Sequence, residues 1–496
     1  MNWRWGWEAA TFAPEPGESW ALLAALVLPL MLGGLAALRP PRRAWVVLLA
    51  ALPLLASGAA LFQAVQGVAL LTWSVSFDDV TLALRLNGVA ALLVVVTQLI
   101  GVVAALYTAG LCRLDESAGR SRWLWPLWGV LLSSLSVIWL AADLLSLYLG
   151  LELMGLTAVG MLLLSGKAEA LLAGLRYLLV ALVGSLLYLL GVALILAHWG
   201  SLELAQLTEV VAPEPVAWLA AALLGAGLAT KAALFPLHAW LTPVHASAWT
   251  PVSALHAALV VKASLYLLLM LWSLLIPESH VAPLLLGLLG ALAIVWGSLA
   301  AWRADSLKTL VAASTVAQLG YLMLAFPLLL GPEMAPEVQT LAWQGFWLQL
   351  LGHALAKAAM FMAAGNLILA TGESTLAGLA GTSRRLPLSL LVFGIASVTL
   401  MGLPPSAGFT AKWQLLQAML LADLWWAIAA LLLGTLLSAA YVFRLFRYSF
   451  IESAPRKTYR PLAPGMEGGA LLLALAALLL GLWAHYPLSL LQGASA

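Results

Sequence analysis

Residues Thr230–Tyr266 read TKAALFPLHAWLTPVHASAWTPVSALHAALVVKASLY, and this stretch decides the fold. It sets two lysines, Lys231 and Lys262, and three histidines, His238, His245 and His256, in otherwise apolar sequence. Pro236, Pro243 and Pro251 interrupt it. A proline lacks an amide proton and clashes with the preceding turn, so a helix here must break or restart. Inside a bilayer such a break survives only where the freed backbone groups meet protein or a wet cavity. A cation beside it costs about 2.5–3.5 kcal/mol even on the lenient insertion scale. Ion passage is the leading reason to keep one there.

The surrounding 496 residues are 64% hydrophobic and 9% charged. Repeated apolar runs of more than about 18 residues mark a polytopic membrane protein. The net charge of +2 is dispersed among short links and gives no sign of nucleic-acid binding. The single cysteine, Cys112, lies in LCRLDESAGR, read as a loop, and excludes an internal disulfide or a cysteine-ligated cluster. The N-terminal MNWRWGWEAATFAPEPGES lacks the basic region of a signal peptide. It reads as an interfacial segment with tryptophans at headgroup depth. No nucleotide-binding loop or cofactor motif is evident, so no cofactor, metal site, redox centre or hydrolytic site is expected in this chain.

The apolar runs give about fourteen spans, near 20–38, 44–71, 82–108, 123–141, 144–164, 171–197, 216–236, 251–275, 281–301, 307–329, 341–369, 387–410 continuing through a break to 421, 424–448 and 466–485. The links test this count. Odd links hold Arg39, Arg42, Arg43; Arg113, Arg120, Arg122; Lys167; Arg303, Lys308; Arg384, Arg385; and Arg444, Arg447, Arg456, Lys457, Arg460. Even links hold no basic residue, but carry Asp78, Asp79, Asp143, Glu203, Glu209, Glu214, Glu278, Glu333, Glu337 and Asp423. The positive-inside rule then places the odd links in the cytoplasm and both termini outside it, in a bacterial cytoplasmic (inner) membrane.

Arg4, Arg85 and Arg176 lie near span ends, where snorkelling accounts for them. Lys231, Lys262, Lys357, Lys412 and Glu152 instead fall well inside apolar runs. Glu152, in LLSLYLGLELMGLTAVGMLLL, is either a packing carboxyl or a proton-binding acid facing a lysine. A nearby ammonium lowers a carboxyl pKa and desolvation raises it, so movement of the lysine would switch proton affinity. Lys231 stands beside the break at Pro236, as a proton carrier or as a fixed counter-ion to Glu152. A lysine in water, with a pKa of about 10.4, keeps its proton at pH 7; burial brings release within range.

Lys262 follows His256 by six residues, about 600° of ideal helix, so the two share no face. His256 is a packing histidine or a relay; His238 and His245 flank the break, capping backbone groups or carrying protons. No histidine pair has the i, i+4 spacing of a helical metal motif, which speaks against metal or haem. His353 and Lys357, in LLGHALAKAAMFMAAGN, do share a face at i, i+4 and would tend to hold one proton between them, unless each packs independently. Lys412 follows Pro404, Pro405 and Gly408 in LMGLPPSAGFTAKWQLLQAML, a second broken helix with a lysine at its edge. Matched interruptions in two halves point to an inverted-repeat transporter with its site at mid-membrane.

The segments FPLHAWL, TPVSALHAALVVKASLYLL, DSLKTLVAASTVAQLGYLML, GHALAKAAMFMAAGN and GLPPSAGFTAKWQLLQA, with LYLGLELMGLTAVGMLLLSG upstream, resemble the antiporter-like membrane subunits. That family is shared by respiratory complex I, membrane-bound hydrogenases and Mrp cation/proton antiporters. The resemblance covers about residues 125–450. It implies an all-α fold of fourteen helices with two inverted five-helix repeats, at spans 4–8 and 9–13, and discontinuous helices 7 and 12. One transmembrane domain would then comprise a three-helix part (1–122), the repeats (123–275 and 281–448) and a C-terminal helix (449–496).

By motif, the family's half-channel acid and lysines fall on Glu152, Lys231 and Lys262, the residue at the second break on Lys412, and the central axis on His353 and Lys357. Many relatives read HAWLPDAH where this chain has HAWLTPVHASAW, so an acid of that loop is missing. The chain stops at Ala496, without the lateral helix of the largest complex I subunit, which makes the Mrp D-type or hydrogenase counterpart the nearer likeness. The expected function is proton translocation or proton/sodium exchange within a multisubunit complex, a proton-pumping oxidoreductase being one form of it. The expected partners are other hydrophobic subunits, a soluble enzyme arm and lipid, with no nucleic acid. The competing readings are a membrane anchor for a soluble enzyme, as in inorganic-carbon uptake, and a self-sufficient secondary transporter.

Overall fold

The computed structural model describes residues 20–38, 43–65, 72–77, 80–114, 118–276, 279–452 and 458–493. The N-terminal segment read as interfacial, with Arg4, lies outside them, as do Arg39, Arg42, Asp78, Asp79, Glu278, Arg456 and Lys457 of the charge pattern. Two apolar helices come first, α1 (Trp20–Leu38) and α2 (Arg43–Val65), with Pro29 and Pro53 inside them. An antiparallel hairpin follows, β1 (Thr72–Phe77) and β2 (Val80–Arg85), pairing Thr72 with Arg85 and Phe77 with Val80.

This hairpin corrects the all-α expectation and the start of the third span at 82. TWSVSF and VTLALR are rich in β-branched and aromatic residues and alternate in period two, which suits a pleated ribbon better than a helix. Helix α3 (Gly88–Leu114) therefore starts later, and it takes Cys112 into its last turn, so that residue is not in a loop. Arg85, assigned to snorkelling, is instead 8% exposed at the end of β2.

Helices α4 (Ala118–Leu140) and α5 (Leu144–Leu163) meet at Asp143. This buried carboxylate caps α5 by accepting from the Ser146 amide at 2.7 Å, and accepts the Ala83 amide of β2 at 2.7 Å. The long α6 (Ala168–Trp199) ends at Gly200 in the left-handed conformation. A short α7 (Leu204–Val210) leads to α8 (Pro215–Lys231), the break, and α9 (Leu241–Ser247). Then α10 (Thr250–Leu255) runs through a π-turn at His256–Val260 into α11 (Val261–Leu275).

The second half comprises α12 (Val281–Arg303), α13 (Leu307–Met323), the short α14 (Phe326–Leu330) and the 36-residue α15 (Pro336–Thr371). After α16 (Thr382–Arg385), helices α17 (Pro387–Met401) and α18 (Ala407–Leu421) flank a second break. Helices α19 (Trp425–Ser449), α20 (Pro464–Leu479) and α21 (His485–Gly493) end the described chain. Among the described residues nine helices are long and apolar enough to cross a membrane, and five shorter apolar helices accompany them.

Helix α15 forms the core. It packs against α10, the π-turn, α13, α17, α18 and α20, and its middle from Gly345 to Leu367 is buried throughout. Close approach by small residues holds such bundles where lipid removes the hydrophobic drive. A Cβ on Gly227 of α8 would collide with the Gly184 carbonyl of α6. The outer faces of α6, α12 and α19 expose Leu179, Leu186, Leu285, Leu292, Leu436 and Phe443, apolar surface that hydrocarbon or a neighbouring protein must cover.

Candidate functional site

Helix α8 stops at Lys231, five residues short of the end expected from the apolar run. Pro236, joined to Phe235 by a cis peptide, lies in the break that follows. The Thr230 carbonyl freed there accepts the Trp240 indole N–H at 3.1 Å, so protein rather than lipid satisfies it. Lys231 is 5% exposed and its Nζ lies 2.9 Å from Glu152 Oε1. Ser185 of α6 donates to the same oxygen. Glu152 retains 21% exposure, so this pair sits nearer the edge of the bundle than the sequence suggested. His238 lies apart, with its ring against Phe235 and edge-on to Trp296 at 4.1 Å.

The π-turn reorganises the next group. A π-turn skips one regular hydrogen bond and is frequent at functional sites. Here Lys262 Nζ donates to the Ala257 carbonyl inside that turn, at 2.5 Å. The separation of about 600° expected between His256 and Lys262 holds only for an uninterrupted α-helix, which this segment is not. His245 and His256 are buried with ring centroids 6.4 Å apart, and none of their four ring nitrogens has a hydrogen-bond partner.

On α15, Lys357 is fully buried and donates to the Val311 carbonyl at 2.8 Å and to Ser314 Oγ at 2.5 Å, both on α13. It is drawn to α13 and is not hydrogen-bonded to His353. His353 is 1% exposed with both nitrogens unpartnered, within electrostatic range of Lys262, Lys357 and Lys412. The i, i+4 pair thus belongs to a wider cluster.

The second break opens at Gly402, whose φ of 77° favours glycine, and contains a cis Pro404–Pro405 peptide. Ser406 restarts the chain by accepting the Phe409 amide at 3.2 Å. Lys412 is 5% exposed, and its Nζ donates to the Leu400 carbonyl at 3.0 Å, the Met401 carbonyl at 3.1 Å and Thr435 Oγ1 at 3.3 Å. It also stands 4.0 Å from the Tyr321 ring centroid. The negative end of α17 and an aromatic face together suit an ammonium. Gly408 makes this approach possible, because a Cβ there would collide with the Thr399 carbonyl. Gly408→Ala is expected to force α17 and α18 apart at about 3 kcal/mol or more and to lower the amount of folded chain in the membrane, measured by thermal solubility in detergent.

Two residues escaped the sequence reading. Gln349 Nε2 donates to Gln318 Oε1 at 2.8 Å, and Gln318 Nε2 donates at 3.1 Å to the Leu400 carbonyl that also holds Lys412. Gln349 stands one turn from His353, so the amide pair bridges the central cluster and the second break. A survey of charges passes over neutral amides; their isolation in apolar runs was the available signal.

The sequence model described as NADH:quinone oxidoreductase/Mrp antiporter, TM matches residues 141–438. The chain is similar to NADH-quinone oxidoreductase subunit N of Desulforudis audaxviator, 35% identical over 332 residues that cover 65% of this chain and 64% of the relative. It is also similar to a Na(+)/H(+) antiporter subunit of Bacillus subtilis, 27% identical over 428 residues, 85% of this chain and 83% of that one. The chain spans 64% of the Desulforudis relative and 44% of two uncharacterized Mycobacterium tuberculosis relatives. Its fold matches a chain of the Mrp complex from Dietzia sp. with a TM-score of 0.86 at 22% identity, covering 97% of each. With the matched model spanning more than half of its residues, the chain is an integral multi-pass membrane protein that belongs to the NADH:quinone oxidoreductase/Mrp antiporter family.

Proposed function

We propose that this chain is a proton-translocating, antiporter-like subunit of a multisubunit membrane complex. The observation that carries the reading is the set of ammonium groups at Lys231, Lys262, Lys357 and Lys412, each buried and each held by a carboxylate, carbonyl or hydroxyl oxygen. None is more than 5% exposed. His353 lies within electrostatic range of three of them, so a proton gained at one changes the energy of the others.

The relay runs from Glu152 and Lys231 through Lys262 to His353 and Lys357, and on to Lys412, with Gln349 and Gln318 lining the last interval. His245 and His256 sit beside the centre as secondary members, and His238 flanks the first break. Moving a charge across the membrane against 100 mV takes about 2.3 kcal/mol, which partner subunits or a second ion gradient must supply.

A count of fourteen spans is supported by the nine long and five shorter apolar helices, which overlap the fourteen apolar runs one by one. An inverted repeat is supported by parallel packing. Helix α6 packs against both α8 and α9 around the first break, as α15 packs against both α17 and α18 around the second. The charge pattern assigns the basic links to the cytoplasm and both termini to the opposite side.

The assembled complex, reconstituted in liposomes and supplied with its driving reaction, is expected to build a pH gradient, whereas the purified single chain builds none. Acidification by the single chain at the rate of the complex would contradict the subunit reading.

A further inference from the structure

A proton relay needs an exchange point with water on the side that the charge pattern assigns to the cytoplasm. We propose that Lys308 is that exchange point; this rests on the relay reading and names its terminus. By sequence Lys308 reads only as a loop charge that fixes topology. The structure puts it in the first turn of α13, half-buried, with Nζ donating to the Ala248 carbonyl at 2.6 Å. Ala248 follows α9 in an extended conformation, three residues after His245.

Two observations tie Lys308 to the interior. The first is the face of α13 on which it stands. Val311, Ser314, Gln318 and Tyr321 recur at intervals of three to four residues and line one side of the helix, and Lys308, one turn before Val311, stands at the margin of that side. Val311 and Ser314 hold the Lys357 ammonium, Gln318 shares the Leu400 carbonyl with Lys412, and Tyr321 lies under Lys412.

The second is the histidine pair. His245 lies within electrostatic range of Lys308, Lys357, Lys262 and His256. All four ring nitrogens of His245 and His256 are buried and unpartnered, whereas buried polar groups ordinarily bond to protein or water. Lys308 is in turn within range of Lys167, a cation of the loop after α5. One side chain thus lies within electrostatic range of both a basic surface loop and His245.

The step is a proton exchange. The Lys308 ammonium breaks one N–H bond, the proton passes through water to a ring nitrogen of His245, and the neutral amine takes a proton back from bulk water. The alternative role is a strut fastening α13 to the junction of α9 and α10. Arginine separates the two, because a guanidinium donates the same hydrogen bond but does not deprotonate in proteins.

The test compares Lys308→Ala, Lys308→Arg and Lys231→Ala in the assembled complex, with pH-gradient formation in inverted vesicles as the readout and co-purification of the partner subunits as the assembly check. Lys308→Arg is expected to assemble normally and to lose translocation by about tenfold or more, with Lys308→Ala at least as impaired. Translocation at the wild-type rate in either variant would overturn the proposal, the arginine result by showing that a strut suffices. Wild-type translocation in Lys231→Ala would overturn the relay itself, a failure that the Lys308 variants alone do not produce.

Discussion

Lys231→Ala is expected to abolish ion translocation by the assembled complex, a loss of about 100-fold or more, while leaving assembly intact. The loss follows from position. Lys231 ends α8 and pairs at 2.9 Å with Glu152, the acid that also receives Ser185. Without the ammonium, no group on α8 takes over a proton from Glu152 toward the π-turn. Removing one partner of a buried ion pair ordinarily costs about 3–5 kcal/mol, because a bare charge is left behind. Here the carboxyl is 21% exposed and keeps Ser185 as a donor, which limits the damage. The break itself is secured by the Trp240 indole on the Thr230 carbonyl, independently of the lysine side chain. Co-purification of partner subunits checks assembly and vesicle acidification checks transport.

Lys412→Ala is expected to cause an equal loss of transport together with a loss of stability, a combination that distinguishes it from Lys231→Ala. Its ammonium satisfies the Leu400 and Met401 carbonyls at the end of α17. Gln318 still donates to Leu400 in the variant, but Met401 is left without that donor. A hydrogen bond to a charged group contributes about 1.5–3 kcal/mol. The melting temperature of the detergent-solubilised complex is therefore expected to fall as well. Unchanged transport would remove Lys412 from the relay; unchanged melting would show that the end of α17 is held by other contacts.

The apolar runs and alternating link charges made the helices legible, because the bilayer forces backbone satisfaction within each span and the charge bias orients it. The prolines at 236, 404 and 405 marked both breaks for the same reason: a missing amide shows in the sequence. The lysines stood out because a cation in hydrocarbon is costly. What stayed hidden lacks such a mark. The paired strands Thr72–Phe77 and Val80–Arg85 are only twelve residues of alternation, lying beside longer helical runs. The π-turn at His256–Val260 is a one-residue change of winding that no residue type announces. Gln318 and Gln349 are neutral, and Lys308 sits so near a loop that its charge was fully accounted for by topology.

In the proposed mechanism one continuous relay crosses both halves of the chain. The measurement closest to it is the number of protons translocated per turnover of the driving reaction, in vesicles carrying wild type, Lys231→Ala or Lys412→Ala. A single path requires that either substitution, on opposite sides of the central cluster, brings this chain's contribution to zero. If each variant instead kept about half of that contribution, the two broken helices would serve separate channels, and no single relay would join them.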